Sequence, residues 1–381
     1  MPRILHTSDI HIGKIFEQFG EFGKQLRSQI KETCRRVFEL AGAERVDAVL
    51  MAGDIFDSDR IAQADFRFFM ERVSSIRPIP VFFLPGTWTH DSFHQKHIYR
   101  SRHFLQDKPE NLTVFTKEEA ETFTASSGQL AIHGRAVLPD SGNPLDGIRP
   151  DPGASHNVAL LHTAVLLPQI PETPGKCLLE REHVQACGLD YIAMGDWHTF
   201  RRYFEDLKTV VQYSGSPETL QFDDGEESGF VALVSFGEGL PKVEQRRVGH
   251  HSWNKLNLTW ETIGSVQGLK HEVESLGDPS RVLRVSIEGT IAEKEAIDWE
   301  RLREELSSRF AYLDFDVGKV RTETPLQEIE KDYRENTVER VFVGLVGEAL
   351  SQTHDPETAQ KLREALRRGH ALFQGHEEVI L

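Results

Sequence analysis

Short apolar runs alternate with amphipathic segments along the first half of the chain. Four of the runs predict buried strands, and they are Val46–Ala52, Pro80–Leu84, Asn157–Leu161 and Asp190–Met194. The segments Leu26–Ala41 and Phe66–Ile76 instead carry apolar side chains at helical spacing. Strands and helices in repetition predict an α/β fold in which helices cover the sheets.

The hydrophobic pattern changes after about residue 250. The polar residues from His250 to Gly264 are interpreted as a connection. Beyond it, Arg281–Glu288 alternates with strand period, Trp299–Phe310 is helical, and Phe315–Val320 predicts a second strand. This order predicts a small β-α-β domain.

The last part of the chain has helical periodicity twice. A first helix is predicted to start at Leu326 and continue through Ala349, and a second to begin near Pro356, since proline is favoured in the first helical turn. The two amphipathic helices either pack on their own domain or form a docking surface for a partner helix. We therefore predict domains at residues 1–260 and 265–322 and a helical tail at 323–381.

Composition narrows the functional class only slightly. The chain has 381 residues and a formal net charge of −16, and an acidic balance is not typical of a nucleic-acid binder. The three cysteines lack metal-ligand spacing and are odd in number, so we expect reduced thiols. No apolar run is long enough for a targeting segment or a membrane span, and we expect a cytoplasmic protein with no membrane contact.

Five stretches rich in Asp and His each follow an apolar run. They are Asp9-Ile10-His11, Gly53-Asp54-Ile55-Phe56-Asp57, Gly86-Thr87-Trp88-Thr89-His90-Asp91, Leu161-His162-Thr163 and Gly195-Asp196-Trp197-His198. Because strand carboxyl ends converge in layered α/β folds, these side chains are expected to meet. Carboxylates and imidazoles are suitable ligands for two divalent cations. Such cations, about 3.5–4 Å apart, clamp the attacking and leaving oxygens of phosphate ester hydrolysis.

The individual residues support this site unequally. Asp9 and His11 are two apart in a segment that is predicted to be extended, so both side chains are expected to reach one ion. Asp54 could bridge two cations, and His162 and His198 could complete their ligand sets. A single histidine after a strand is more often a capping or core residue, and an aspartate before a turn more often bonds the backbone. The order of all the motifs, each at a strand end, favours the dinuclear site.

These motifs resemble those of the calcineurin-like metallophosphoesterase superfamily, which reads Asp-x-His, Gly-Asp-x-x-Asp, Gly-Asn-His-Asp/Glu, His and Gly-His-x-His. Within it, the chain is most similar to SbcD-type DNA repair nucleases, in His6–Gly13, Val46–Asp57 and Tyr213–Glu218. The resemblance covers roughly residues 1–260. It implies a layered β-sandwich covered by helices, with a small β-α-β cap domain and C-terminal helices.

The resemblance also implies roles for individual residues. One ion would be held by Asp9, His11, Asp54 and His198, with Asp54 shared, and His162 would serve the second ion. By the same resemblance, His90 would stabilise the transition state or protonate the leaving oxygen, and Asp91 would orient it. The implied partners are DNA, an SbcC-like coiled-coil ATPase bound through the C-terminal helices, and a second copy of the chain in a homodimer.

Two positions depart from the family pattern, and both belong to the second ion. Thr89, or alternatively Thr87, takes the place of the family's asparagine, and Asp196 takes the place of the first histidine of Gly-His-x-His. An aspartate ligand favours a hard ion, so we predict two divalent ions, manganese first and magnesium as the alternative. Activity could persist, could need high metal concentration, or could be lost. The retained motif residues favour the first.

Three functions compete at this point. The favoured one is a metal-dependent DNA exonuclease or endonuclease subunit of an SbcCD-like double-strand break repair complex. The second is a phosphodiesterase acting on a small nucleotide, which the acidic charge slightly favours. The third is a catalytically weakened scaffold that binds DNA or the ATPase, which the changes at Thr89 and Asp196 support.

Overall fold

The structure is a computed structural model that describes residues 1–58, 60–86, 99, 102–136, 142–167, 177–292, 297–323, 326–353 and 355–375. The chain forms two compact units. The first comprises Met1–Asn254, Asp278–Leu283 and Phe310–Tyr312, and the second Lys255–Gly277, Arg284–Arg309 and Leu313–Leu381. No helix in the described ranges has the length and apolar character needed to cross a membrane.

In the first unit, the described residues form two six-stranded sheets. In chain order the strands are β1 Arg3–Thr7, β2 Ala48–Ala52, β3 Val81–Leu84, β4 Leu112–Val114, β5 Glu121–Ala125, β6 Leu130–Gly134, β7 His156–His162, β8 Tyr191–Gly195, β9 Arg201–Tyr203, β10 Val210–Tyr213, β11 Phe230–Ser235 and β12 Lys242–Arg247. One sheet has the order β12-β11-β1-β2-β3-β4 and the other β5-β6-β7-β8-β10-β9. Within each sheet the strands that precede the Asp and His motifs run parallel, β1 with β2 and β7 with β8.

Helices cover the outer face of each sheet. They are α1 Gly20–Ala43, α2 Gln63–Ser75, α3 Arg102–Asp107 and α4 Arg181–Cys187, with short 3₁₀ turns at Glu17–Phe19, Ser126–Gly128 and Phe222–Glu227. The predicted apolar faces of the first two helices are buried, from Leu26 to Ala41 and from Phe66 to Val73. Their packing explains why these segments have helical and not strand period.

Alternate side chains of each strand pack on opposite sides of the sheets. On β1, Ile4 lies in the core between the two sheets with Leu160 of β7, whereas Leu5 packs on the opposite side with α1. On β8, Tyr191 faces the inter-sheet core and Ile192 packs outward. The fold is a sandwich of two sheets between helical layers, and the predicted α/β class is confirmed.

A three-stranded sheet of order β13-β14-β15 follows in the chain. Its elements are β13 Ser252–Thr259, α5 Trp260–Ile263, α6 Val266–Ser275, β14 Asp278–Ala292, α7 Trp299–Ser307 and β15 Phe310–Glu323. The β14-α7-β15 order agrees with the predicted β-α-β arrangement. The interpretation of residues 250–264 as a connection is wrong, since they contain a strand and a helical turn. Apart from Trp253, the side chains of β13 are exposed or half-buried, which gave this strand a polar pattern.

The part of the tail that the structure describes contains three helices: α8 Leu326–Lys331, α9 Val338–Gln352 and α10 Pro356–Phe373. The predicted single helix from Leu326 through Ala349 is therefore wrong. Asn336 adopts a left-handed φ of 67°, and the Thr337 side chain accepts a hydrogen bond from the Arg340 amide at 3.3 Å, which starts a new helix. The predicted helix start at Pro356 is confirmed. The three cysteines, Cys34, Cys177 and Cys187, are free thiols, as expected.

Candidate metal centre

Four strand ends bring the predicted ligands together. Asp9 and His11 follow β1, Asp54 follows β2, His162 ends β7, and His198 follows β8. The Asp9 amide donates to the Gly53 carbonyl and the His11 amide to the Asp54 carbonyl, both at 3.0 Å, so the loops after β1 and β2 are bonded to each other.

The backbone at these loops is strained. The backbone φ angle is positive at four residues of these loops: Asp9 (50°), His11 (54°), Asp54 (49°) and Asp196 (100°). Residues other than glycine rarely adopt this region. Such conformations cost about 1–3 kcal/mol each and persist only where surrounding contacts hold them. Four of them at the predicted ligand loops indicate that the fold maintains a specific arrangement of side chains there.

Two groups of ligand atoms lie close enough to hold divalent cations. Asp9, His11 and His198 form one group, and Asp9, Asp54 and His162 form the other; the atoms of each group lie within 4.8 Å of one another. Asp54, a member of the second group, also approaches the first: its Oδ1 lies 3.5 Å from His162 Nε2 and its Oδ2 lies 3.9 Å from His11 Nε2. Paired carboxylate and imidazole ligands fit manganese or a similar divalent ion.

The structure therefore brings Asp9, His11, Asp54, His162 and His198 together. Asp9 belongs to both groups, a position that the sequence did not suggest. That Asp54 bridges the two ions stays a prediction, and its contacts with histidines of both groups are compatible with it.

Each of the three histidines forms a hydrogen bond through its Nδ1 atom. Nδ1 of His162 donates to the Ala52 carbonyl at 2.8 Å, and Nδ1 of His11 to Asp57 Oδ1 at 3.0 Å. Nδ1 of His198 lies 3.2 Å from Oδ1 of Asp224. These bonds fix the tautomer and leave Nε2 of each ring for an ion, as is usual for histidine ligands in metal sites.

Asp224 is a functional candidate that sequence reasoning missed. It lies in the 3₁₀ turn Phe222–Glu227, is buried, and accepts further hydrogen bonds from the Leu220 amide at 3.2 Å and Gln221 Nε2 at 3.0 Å. Its separation of 26 residues from His198 follows no motif. Asp57, by contrast, was visible as the second aspartate of Gly-Asp-x-x-Asp, although no role was assigned to it.

The ring of His162 explains two glycines in the motifs. A Cβ on Gly53 would lie 2.0 Å from His162 Nδ1, and one on Gly195 would lie 1.8 Å from the Ala52 carbonyl oxygen and 2.7 Å from His162 Nδ1. A side chain at either position would displace the ring. The glycine of each Gly-Asp pair therefore provides room for this histidine.

Burial and the carboxylates act in opposite directions on the histidines. Burial lowers the pKa of His11 despite its hydrogen bond with Asp57. Burial also acts to lower the pKa of His162, but the nearby carboxylates, Asp54 first, outweigh it and raise that pKa well above 6.5. A divalent cation would therefore displace a proton from His162 on binding.

The segment Tyr213–Glu218 forms hydrogen bonds with the backbone of the ligand loops. Ser216 Oγ donates to the Asp9 carbonyl at 2.6 Å, and the Ser216 amide donates to the His198 carbonyl at 2.9 Å. The Tyr213 hydroxyl donates to the carbonyl of Thr163, the residue after His162, at 2.7 Å. One segment thus links loops from both sheets.

Glu218 anchors this segment to the rest of the unit. Its buried carboxylate accepts hydrogen bonds from the Thr33 hydroxyl at 2.5 Å and from the amides of His250 and His251 at 2.9 and 3.0 Å. Burial alone would raise the pKa of this carboxyl group, but bonds from the His251 side chain, Thr33 and the two amides lower it.

The remaining predicted residues are placed differently. The Asp196 amide donates to both carboxylate oxygens of Asp9 at 3.2 Å, and neither ligand group found in the described residues includes the Asp196 side chain. Its role as a ligand stays a prediction. Thr89, His90 and Asp91 lie outside the described residues.

Comparison with known proteins agrees with this geometry. The model of the calcineurin-like phosphoesterase family matches residues 2–200. The chain belongs to this family. The predicted resemblance is thereby confirmed, and the two ligand groups are of the kind that a metal-dependent phosphoesterase needs.

Relatives of this calcineurin-like phosphoesterase share modest identity with it. A DNA double-strand break repair protein Mre11 from Methanopyrus kandleri is 25% identical over 62% of this chain and 54% of its own length. Mre11 from Sulfurisphaera tokodaii is 20% identical over 77% of the chain and 76% of its length. An uncharacterised metallophosphoesterase, YhaO, from Bacillus subtilis is 23% identical over 76% of this chain and 72% of its own length. The chain thus spans about half the length of the first of these relatives and about three quarters of the other two.

Proposed function

We propose that this phosphoesterase is a metal-dependent phosphodiesterase that cleaves DNA, as the nuclease subunit of a double-strand break repair complex. The observation that carries the proposal is the pair of ligand groups that share Asp9. Its extension to DNA is supported by similarity to several proteins named as DNA double-strand break repair proteins, at 20% to 25% identity over 62% to 77% of this chain.

In this proposal the chain holds two divalent cations, with manganese favoured. Bound cations would supply Lewis acidity and an activated nucleophile at neutral pH. His11 and His198 would hold one ion and Asp54 and His162 the other, with Asp9 available to both. Asp196 and Thr89 are proposed to complete the second ligand set. His90, oriented by Asp91, is proposed to stabilise the transition state or protonate the leaving oxygen.

The tail helices are proposed to dock on a coiled-coil ATPase. On α9, Val338, Val341 and Leu345 are 78%, 54% and 62% exposed and lie on one face, whereas Val343 and Val346 pack against the other tail helices. An apolar stripe of this kind suits a partner helix. The homodimer and the cytoplasmic location also stay predictions.

The substrate class is tested by turnover with manganese titrated. The substrates are linear duplex DNA, cyclic nucleotides and bis-p-nitrophenyl phosphate, and Asp54→Asn serves as the metal-binding control. Cleavage of duplex DNA that Asp54→Asn abolishes is the expected result. Cleavage of cyclic nucleotides with inert DNA would instead establish the small-nucleotide phosphodiesterase, and inactivity of folded protein on all three substrates would establish the scaffold.

The docking proposal has a separate test. Leu345→Glu places a charge in the exposed stripe and is expected to abolish binding to an SbcC-type ATPase from the same genome, with bis-p-nitrophenyl phosphate turnover unchanged. Exposed Lys361 of α10, already paired with Glu357, offers the control Lys361→Glu. Equal ATPase binding by Leu345→Glu and the parent would contradict the assignment of this face.

A further inference from the structure

A buried histidine lies between the two sheets of the first unit, just before the ligand loops. His6 is on β1 and shares the face of Ile4, which packs in the apolar core between the sheets. Its ring is fully buried, and so is that of Tyr191 on β8 in the other sheet. Burying an imidazole in an apolar core costs free energy unless both nitrogens have partners.

Both ring nitrogens of His6 bond the opposite sheet. Nε2 lies 3.2 Å from the Met194 carbonyl and Nδ1 lies 2.9 Å from the Tyr191 hydroxyl. A carbonyl can only accept, so Nε2 carries the proton and Nδ1 accepts from the tyrosine. Burial lowers the pKa of His6 to about 3, so the ring is neutral at physiological pH and keeps this single tautomer.

The position of this bridge connects it to the metal centre. Asp9 follows His6 by three residues, and Asp196 and His198 follow Met194 by two and four. Beyond the bridge, the Asp196 amide donates to both carboxylate oxygens of Asp9 at 3.2 Å. The bonds of His6 thus join β1 to β8 on the strands, before the loops that Ser216 links through the carbonyls of Asp9 and His198.

We propose that His6, with Tyr191, is a positioning residue that sets the separation between the β1 and β8 loops and so the geometry of the ligand group Asp9, His11 and His198. The inference rests on the proposed metal binding at this group. It does not depend on which phosphodiester is cleaved. A fully satisfied buried network specifies one arrangement of the elements it joins, whereas apolar side chains would pack in several.

The test compares His6→Phe with a matched control, and manganese alone is the probe. His133 of β6 is also buried and bonds Thr122 and Asn157 within its own sheet, with Asn157 near the opposite end of β7 from His162. Affinity is measured by calorimetry and paramagnetic resonance, and stability by unfolding of the metal-free protein. His6→Phe is expected to weaken manganese binding about tenfold, the lower range for residues that support metal ligands. His133→Phe should lower stability without changing affinity.

Conservative variants separate positioning from general packing. Gln at residue 6 can still donate to the Met194 carbonyl, so His6→Gln is expected to recover most of the affinity that His6→Phe loses. Tyr191→Phe removes only the hydroxyl and should give a smaller loss in the same direction. If His6→Phe does not fold, Tyr191→Phe decides the question against the same control.

Two results would overturn the proposal. One is parental manganese affinity in His6→Phe and Tyr191→Phe. The other is a decrease in manganese affinity that His133→Phe reproduces when the two variants are destabilised equally. Failure of the proposed function is distinguishable, because a parent protein that binds manganese and leaves DNA intact refutes the nuclease assignment and leaves this inference in place.

Discussion

Asp224 offers a sharp test of how the metal centre is built. Its carboxylate accepts the Nδ1 proton of His198, with Oδ1 and Oδ2 at 3.2 and 3.3 Å, and has no place in the sequence motifs. Burial alone would raise the pKa of Asp224, but hydrogen bonds led by that of His198 lower it, so the group is charged at neutral pH. The substitution Asp224→Asn removes the charge and keeps the volume.

The expected magnitude follows from the charge on this bond. A hydrogen bond to a charged group contributes about 1.5–3 kcal/mol and a neutral one about 1 kcal/mol. The difference, roughly 0.5–2 kcal/mol, corresponds to about 2- to 30-fold weaker binding of an ion at the group Asp9, His11 and His198. Losses of 10- to 100-fold are typical when such supporting residues change, and the two estimates overlap.

The assay is a calorimetric titration of the Asp224→Asn protein with manganese. Turnover of bis-p-nitrophenyl phosphate is measured in parallel. Asp206, an exposed aspartate paired with Arg181, provides the matched control Asp206→Asn, which should behave like the parent. Parental affinity in a folded Asp224→Asn protein would refute the argument that this carboxylate orients His198.

Three further predictions concern other parts of the site. His90→Ala should retain manganese binding, measured by calorimetry, and lose most turnover; parental DNA cleavage would contradict the role of His90. Asp196→His restores the family's ligand and should bind manganese more tightly in the same titration, whereas unchanged affinity would mean that Asp196 does not contact the ion. Glu218→Gln should destabilise the protein by about 1.5–3 kcal/mol at neutral pH in urea unfolding, because a buried charged acceptor is lost. Folding lowers the pKa of Glu218 from 4.5. The difference in stability should therefore be complete above pH 4.5 and disappear as the pH falls through the lower pKa of the folded state; a pH-independent difference would contradict this.

The sequence predicted those parts of the site that local pattern determines. Asp9 and His11 could be assigned because a strand, a turn and two ligand side chains lie within a few residues. The supporting contacts could not, because Asp224 and the partners of Glu218 approach from distant segments only after the sheets pack. No spacing rule encodes such contacts.

The errors in the fold have equally specific causes. Strand β13 has mostly exposed or half-buried side chains, so its apolar alternation is weak. The boundary between α8 and α9 depends on the left-handed backbone of Asn336 and the cap at Thr337, while apolar residues continue at nearly helical spacing across it. The hydrophobic pattern left both elements ambiguous. Pairing in a sheet decided the first, and the backbone at Asn336 with the cap at Thr337 decided the second.

The central claim is that two ligand groups sharing Asp9 hold a pair of divalent ions. A crystal structure with manganese, with data collected at the manganese absorption edge, tests it directly. The account predicts two anomalous peaks, one contacting His11 and His198 and the other Asp54 and His162, with Asp9 adjacent to both. Absence of both peaks at saturating manganese, or peaks away from these side chains, would contradict it.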